Sequence, residues 1–331
     1  MGWWAAMGRG RGEADMHQPD RVSLREVAPR DGLQNEPPVP TADKIRLIDA
    51  LSRTGLSRIE AVSFVSPKAV PQMADAAEVW AAVEKHSGIR YSALAPNTRG
   101  VQRALDAGFT AVELVVSASE THNRANIGRS VAESLAELPD ICAQARERLA
   151  SVEVIIATSF GCPFEGDIAP AKVARIVEAA EAAGAGRVAF GDTTGMGTPR
   201  RVTDLLDAID TDLPMLMHFH DTRGTALANL LTALDRGVVE FDASVGGIGG
   251  CPFAPGASGN VATEEVVHML HDMGVETGVD LEALIRTAEL AQEIVGRPLE
   301  SGVLRAGPRS TKHASRNSTQ DESDAGNLKP G

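Results

Sequence analysis

Short runs of β-branched and aromatic residues alternate with longer, Ala-rich stretches of helical spacing along most of this chain. The strand-like runs are VSLREVA (22–28), RIEAVSF (58–64), RYSALAP (90–96), AVELVVSAS (111–119), VEVIIATS (152–159), RVAFGD (187–192), PMLMHFH (214–220) and EFDASVG (240–246). Each is rich in Val, Ile or Phe and too short for an ordinary helix. Helical patterns fill the intervals over 41–54, 70–86, 98–107, 127–149, 169–184, 199–210, 223–236 and 262–273. Pro170 and Pro199 stand near helix starts, while Gly55, Gly108, Gly184, Gly237 and Gly274 stand near helix ends. Proline at the first turn and glycine past the last is the asymmetry that helix termini favour.

Eight βα units in series predict an α/β fold, a closed parallel (β/α)8 TIM barrel with right-handed crossovers. A doubly wound open sheet is the competing architecture. It is disfavoured because the count reaches eight and no Gly-x-Gly-x-x-Gly turn follows the first strand. One extra C-terminal helix, near 280–296, is expected to pack on the outside. The expected organisation is a disordered leader over 1–20, a catalytic barrel over 21–305 and a disordered polar tail over 306–331.

Composition narrows the partners. With 43% hydrophobic and 23% charged residues the chain has the profile of a soluble globular protein. Its 32 Lys and Arg against 45 Asp and Glu give a formal charge of -13, which argues against nucleic acid or an anionic membrane as partner. No apolar run approaches the roughly 20 residues of a membrane helix. The N-terminus lacks the apolar centre of a secretory signal, and Glu13, Asp15 and Asp20 count against a transit peptide. Translation from Met7 or Met16 is an alternative to Met1. The cysteines are Cys142, Cys162 and Cys251, without a Cys-x-x-Cys pair, a usage that fits a reducing cytoplasm.

Barrel chemistry sits at the C-terminal ends of the strands, and three segments there carry candidate groups. His218-Phe219-His220-Asp221 closes the seventh run. Positions two apart share a strand face, so both imidazoles point into the barrel mouth as natural metal ligands. Two hydrogen-bonded structural histidines are the bland alternative. Arg30-Asp31-Gly32 follows the first run; Asp31 offers a hard oxygen ligand and Arg30 a cation for a carboxylate or oxyanion. Taken alone, it is an ion pair beside a turn. GGIGGCPFAPGASGN (246–260) follows the eighth run, and its glycines permit close backbone approach to a ligand and closure over it. Cys251 lies within it as a proton donor or acceptor, and Asn260 at its end as a fourth ligand. Asp, His, His and Asn without thiolate suit Mg²⁺ or Mn²⁺ better than structural Zn²⁺.

The segments LREVAPRDGLQNEP (24–37), SFVSPKAVPQMAD (63–75), GCPFEGDIAP (161–170), GDTTGMGTP (191–199), HFHDTRGTALAN (218–229) and GGIGGCPFAPGASGNVATE (246–264) resemble the hydroxymethylglutaryl-CoA lyase family. The resemblance runs from about residue 21 to about 300. The cysteine-bearing glycine loop is specific to the lyases, while the Arg-Asp-Gly and His-x-His segments are shared with related barrel enzymes. It implies Asp31, His218, His220 and Asn260 as ligands of a divalent cation, and Arg30, Asp31, Glu60, His218 and Cys251 as catalytic groups. Asp192 is implied as a further site residue. The implied substrate is an acyl-CoA with a tertiary hydroxyl, cleaved to acetyl-CoA and acetoacetate, as in leucine degradation and ketone-body metabolism.

Other readings stay open at this point. A lyase for a longer 3-hydroxy-3-alkylglutaryl-CoA would look much the same. A condensing enzyme of the same superfamily would share the ligands but usually carries a long C-terminal extension and lacks the cysteine loop. A non-catalytic barrel is disfavoured because every expected group is present. Glu264 and Asp221 are expected to support ligands, and His122 and Asn123 either to line the acyl channel or to belong to a solvated loop. Cys142 and Cys162 are expected to be structural, and His86, His268 and His271 ordinary helix-face residues. Pairing through outer helices into a homodimer is common in such barrels.

Overall fold

The computed structural model describes residues 18–250 and 259–311. Cys251, most of the expected leader and most of the expected tail lie outside the described residues. Eight strands close into one parallel barrel in sequence order: β1 (Ser23–Glu26), β2 (Arg58–Ser63), β3 (Arg90–Leu94), β4 (Ala111–Ser117), β5 (Ser151–Ala157), β6 (Arg187–Asp192), β7 (Met215–Phe219) and β8 (Glu240–Ala243). The barrel closes where β1 runs beside β8, with Ser23 opposite Glu240 and Glu26 opposite Ala243. Every strand overlaps its expected run.

The helices follow the expected spacing with two instructive exceptions. The pattern over 70–86 splits into a 3₁₀ turn at Pro71–Met73 and a helix at Ala76–Ala82, since Pro71 starts a turn but cannot donate into one. The polar stretch after β4, which hydrophobic spacing assigns to neither a strand nor a helix, is a helix over Glu120–Ile127. Its ends explain it. The Ser119 hydroxyl accepts from the His122 amide at the start, and Gly128 ends it at φ 73°. A capping box of Ser130 and Glu133 then opens the helix Val131–Glu147. The expected outer helix is present as Leu281–Val295, and a short helix over Gly302–Ala306 follows it. Among the described residues, no helix is long and apolar enough to cross a membrane.

Barrel interiors are usually filled by branched apolar side chains, but this one carries a layer of buried charge. Arg25 on β1 is 1% exposed. It grips Asp242 of β8 in bidentate fashion, Nε to Oδ1 at 2.7 Å and Nη2 to Oδ2 at 2.8 Å. Its Nη1 donates to Glu153 of β5 at 2.7 Å and to Glu113 of β4. Nearer the N-terminal end of the barrel, Arg187 donates twice to Glu240, at 2.7 and 2.8 Å, and Arg58 pairs with both Glu240 and Glu153. Removing one partner from such a cluster leaves uncompensated charge in a dry interior, typically at a cost of ~3–5 kcal/mol. Arg25→Leu is therefore expected to lose about that much stability in urea denaturation. A variant as stable as the parent would mean that the three carboxyl groups do not depend on this guanidinium.

Candidate active site and metal-binding cluster

At the C-terminal mouth of the barrel, β1 runs into a single π-type turn over Ala28–Gly32. The Gly32 amide reaches back five residues to the Val27 carbonyl at 3.2 Å, and the wide turn sets Arg30 and Asp31 side by side over the opening. Arg30 bridges two carboxylates: Nη1 lies 2.6 Å from Asp31 Oδ1 and Nη2 2.7 Å from Glu60 Oε2. Glu60 is fully buried on β2. Burial, with Glu113 adding to it, pushes the Glu60 carboxyl well above its usual range despite the nearby guanidiniums. Arg30 is raised as well: burial alone would weaken its charge, but Glu60 and Asp31 bring its pKa above the ordinary arginine value.

The end of β7 supplies the imidazoles as the alternation requires. Phe219 turns outward against Phe160, while His218 and His220 face the mouth with their Nε2 atoms 3.1 Å apart. Asp31 Oδ2 lies 4.0 Å from His218 Nε2 and 3.9 Å from His220 Nε2. These three residues form a cluster able to hold a metal ion, with one ligand atom from each lying within 4.8 Å of the others. Burial, assisted by the neighbouring His218, lowers His220 to about 3, so the imidazole is neutral at any working pH. Burial alone would raise Asp31, but Arg30 and the two imidazoles bring it down to about 2, so it stays ionised.

Asn260 reaches the cluster because the chain after the glycine loop threads beside β7. The Val261 amide bonds the Phe219 carbonyl at 3.1 Å, and the Asp221 amide bonds the Gly259 carbonyl at 2.9 Å. As oriented, Asn260 Nδ2 donates to Asp31 Oδ2 at 2.8 Å and to the Ile248 carbonyl at 3.1 Å, leaving Oδ1 buried without a hydrogen bond. Two glycines explain the surrounding motifs. A Cβ at Gly32 would lie 2.7 Å from Ile248 Cγ1, and one at Gly249 (φ 111°) would lie 2.4 Å from Asn260 Nδ2 and 3.3 Å from Asp31 Oδ2. The Arg-Asp-Gly turn and the glycine loop are thus packed directly on one another.

Beside this cluster lies a cavity of about 410 Å³, within the range of small-molecule sites. Arg30, Asp31, His218 and His220 line its polar side, and Leu94, Val115 and Ile155 are among the apolar residues of its wall. His122 lines it too. Asn123 does not: its side chain ties the Ser117 amide to the Arg129 carbonyl and the Ser134 hydroxyl. Asp192 serves the loop after β6, where its Oδ1 accepts the Met196 and Gly197 amides at 2.8 and 2.9 Å. Glu264 accepts the Gly246 amide with both oxygens, and Asp221 caps the helix Ala226–Asp235 through the Ala226 amide. Both support the mouth from behind. Cys142 and Cys162 are free and buried, as expected of structural residues.

The hydrogen-bonded groups that sequence reasoning passed over are Arg25, Glu113, Glu153 and Asp242. A signal was present in each. They are charged residues inside short apolar strands, where a side chain has to enter either the barrel or the helical layer.

The HMGL-like family model matches residues 21–291. Hydroxymethylglutaryl-CoA lyase YngG of Bacillus subtilis is 46% identical over 290 residues, covering 86% of this chain and 97% of that protein. The 3-hydroxy-3-isohexenylglutaryl-CoA/hydroxy-methylglutaryl-CoA lyase of Pseudomonas aeruginosa is 43% identical over 295 residues, covering 88% and 98%. Among solved structures, the Acinetobacter baumannii HMG-CoA lyase in complex with coenzyme A and 3-methylmalate superimposes with a TM-score of 0.84 at 43% identity, covering 89% of this chain and 98% of that one.

Asp192 also generates a pH test. Burial lifts its carboxyl from 3.8 to about 6 against the pull of its two amide donors. The folded state therefore favours the protonated form. That stability is complete below about pH 4 and is lost as pH rises through 6, a change of roughly 3 kcal/mol. Relative to the parent, Asp192→Asn should gain about that much in urea denaturation between pH 4 and pH 8. A stability difference that does not vary with pH would contradict the assignment.

With sequence, barrel and mouth in agreement, this chain belongs to the hydroxymethylglutaryl-CoA lyase family.

Proposed function

We propose that this protein is a divalent-metal-dependent carbon–carbon lyase that splits 3-hydroxy-3-methylglutaryl-CoA into acetyl-CoA and acetoacetate. The observation that carries this is the convergence of Asp31, His218, His220 and Arg30 on one wall of a single cavity. The coenzyme A bound in the Acinetobacter baumannii relative supports an acyl-CoA as substrate.

The residues fit a cation. His218 and His220 present Nε2 atoms 3.1 Å apart, with Asp31 Oδ2 at 4.0 and 3.9 Å from them, so these three residues would hold a divalent cation between them. Asn260 adds its buried Oδ1 after a half-turn of the amide, whose orientation is set only by its hydrogen bonds. An oxygen and nitrogen set without thiolate suits Mg²⁺ or Mn²⁺. When bound, such an ion supplies Lewis acidity to the substrate's tertiary hydroxyl.

The chain's own groups do the rest. The hydroxyl proton passes to a base at the mouth, the Asp31 carboxylate or the His218 imidazole, the C2–C3 bond breaks, C3 becomes the ketone of acetoacetate and the bonding pair passes into the thioester as an enolate. Arg30, held between Asp31 and Glu60, keeps a fixed positive charge for the enolate oxygen; losing one such donor typically lowers kcat by about 10²–10³. Cys251 returns a proton to C2 and completes acetyl-CoA. Glu60 orients Arg30 from the barrel interior. The free thiols Cys142 and Cys162 suit a reducing compartment such as the cytoplasm.

The direct test is incubation with Mg²⁺ or Mn²⁺ and either 3-hydroxy-3-methylglutaryl-CoA or its 3-isohexenyl analogue, with products read by mass. Acetyl-CoA from the methyl substrate is the expected result. Release from the longer analogue alone would move the assignment to the branched-substrate lyases, and release from neither would refute the proposal. Cys251→Ala and Arg30→Met should each lose at least about 10²-fold in kcat. Unchanged turnover would remove that residue from the mechanism.

A further inference from the structure

The imidazole of His218 is gripped from below. Its Nδ1 lies 3.0 Å from Oδ2 of Asp242, directly across the β7–β8 register, while its Nε2 faces His220. Asp242 is 3% exposed and has no freedom of its own. Arg25 holds Oδ1 through Nε and Oδ2 through Nη2, and Glu113 and Glu153 fix Arg25 from the far side. A carboxylate that accepts two guanidinium hydrogen bonds offers His218 only an acceptor. The proton between them must therefore sit on Nδ1, and in the neutral ring Nε2 then carries the lone pair on the side of Asp31 and His220.

We propose that Asp242, locked by Arg25, is a positioning residue that fixes the tautomer and ring orientation of His218 so that Nε2 is presented to the metal cluster. This rests on the proposed role of His218 as a metal ligand. Carboxylate partners of ligating histidines commonly change metal affinity by about 10–100-fold when removed. Asp242 also links the mouth to the charged layer beneath it, because the guanidinium that orients it is itself oriented by β4 and β5.

The asparagine variant is informative because Asn cannot satisfy both neighbours. With its oxygen toward His218, its amide hydrogens meet the Arg25 Nε–H; with its oxygen toward Nε, they meet both His218 Nδ1 and Arg25 Nη2–H. The first keeps an acceptor under the ring but breaks the guanidinium lock that fixes it, and the second turns a donor toward the ring. Asp242→Asn is expected to weaken Mn²⁺ binding, measured by electron paramagnetic resonance titration, by about 10–100-fold. Its circular dichroism should match the parent's. An unchanged Mn²⁺ dissociation constant in a folded variant would overturn the proposal.

A second measurement needs no variant of Asp242. Long-range ¹H–¹⁵N spectra of the ¹⁵N-histidine-labelled parent at pH 8, before metal is added, should show His218 protonated on Nδ1 and not on Nε2, with its signal assigned through His218→Gln. An unprotonated Nδ1 would overturn the proposal, even if Asp242→Asn failed to fold. A parent that binds no Mn²⁺ would refute the metal-dependent reading, and the spectrum would still decide the role of Asp242.

Discussion

A dry barrel interior cannot hold unbalanced charge, and this barrel is built around that constraint. Four guanidiniums, from Arg25, Arg30, Arg58 and Arg187, are linked with six carboxyl groups, from Asp31, Glu60, Glu113, Glu153, Asp242 and Glu240. Acids outnumber bases by two. Burial raises the proton affinity of Glu60, one of those acids. A divalent cation held at Asp31, as proposed, would add positive charge where the network reaches the mouth. On this account metal affinity is a property of the whole interior and not only of the ligands that touch the ion.

The same network explains why the groups at the mouth are so differently tuned. Asp31 and His220 stand in one cluster, yet one is held near 2 and the other near 3, so a charged oxygen and a neutral nitrogen coexist there at neutral pH. Arg30 keeps its charge because two carboxylates flank it. The geometry is stiff for a related reason. Each functional side chain hangs from a strand end or an adjoining turn, and glycines at 32 and 249 let the first and eighth connections pack against each other across the opening.

Much of this was legible in the sequence. Alternation and length revealed all eight strands, and the two-residue spacing of His218 and His220 placed both rings on one face. Asp31 and Asn260 lie where a barrel brings its first and last strand ends together. Capping chemistry was harder to weigh. The helix at Glu120–Ile127 has little apolar periodicity and rests on Ser119 and Gly128, so hydrophobic spacing does not reveal it. Asp192 and Glu264 carry reactive groups but bind backbone amides. Which neighbour a carboxylate chooses depends on loop geometry that spacing alone does not encode. Asp242 was hidden differently, as one acidic residue in a short strand whose partner, Arg25, is 217 positions away.

The central claim is that Asp31, His218 and His220 share one divalent ion. Diffraction from crystals grown with Mn²⁺, recorded at the manganese absorption edge, tests it directly. The account requires one strong anomalous peak within bonding distance of an Asp31 carboxylate oxygen and both Nε2 atoms. A peak elsewhere, or none under saturating Mn²⁺, would contradict it.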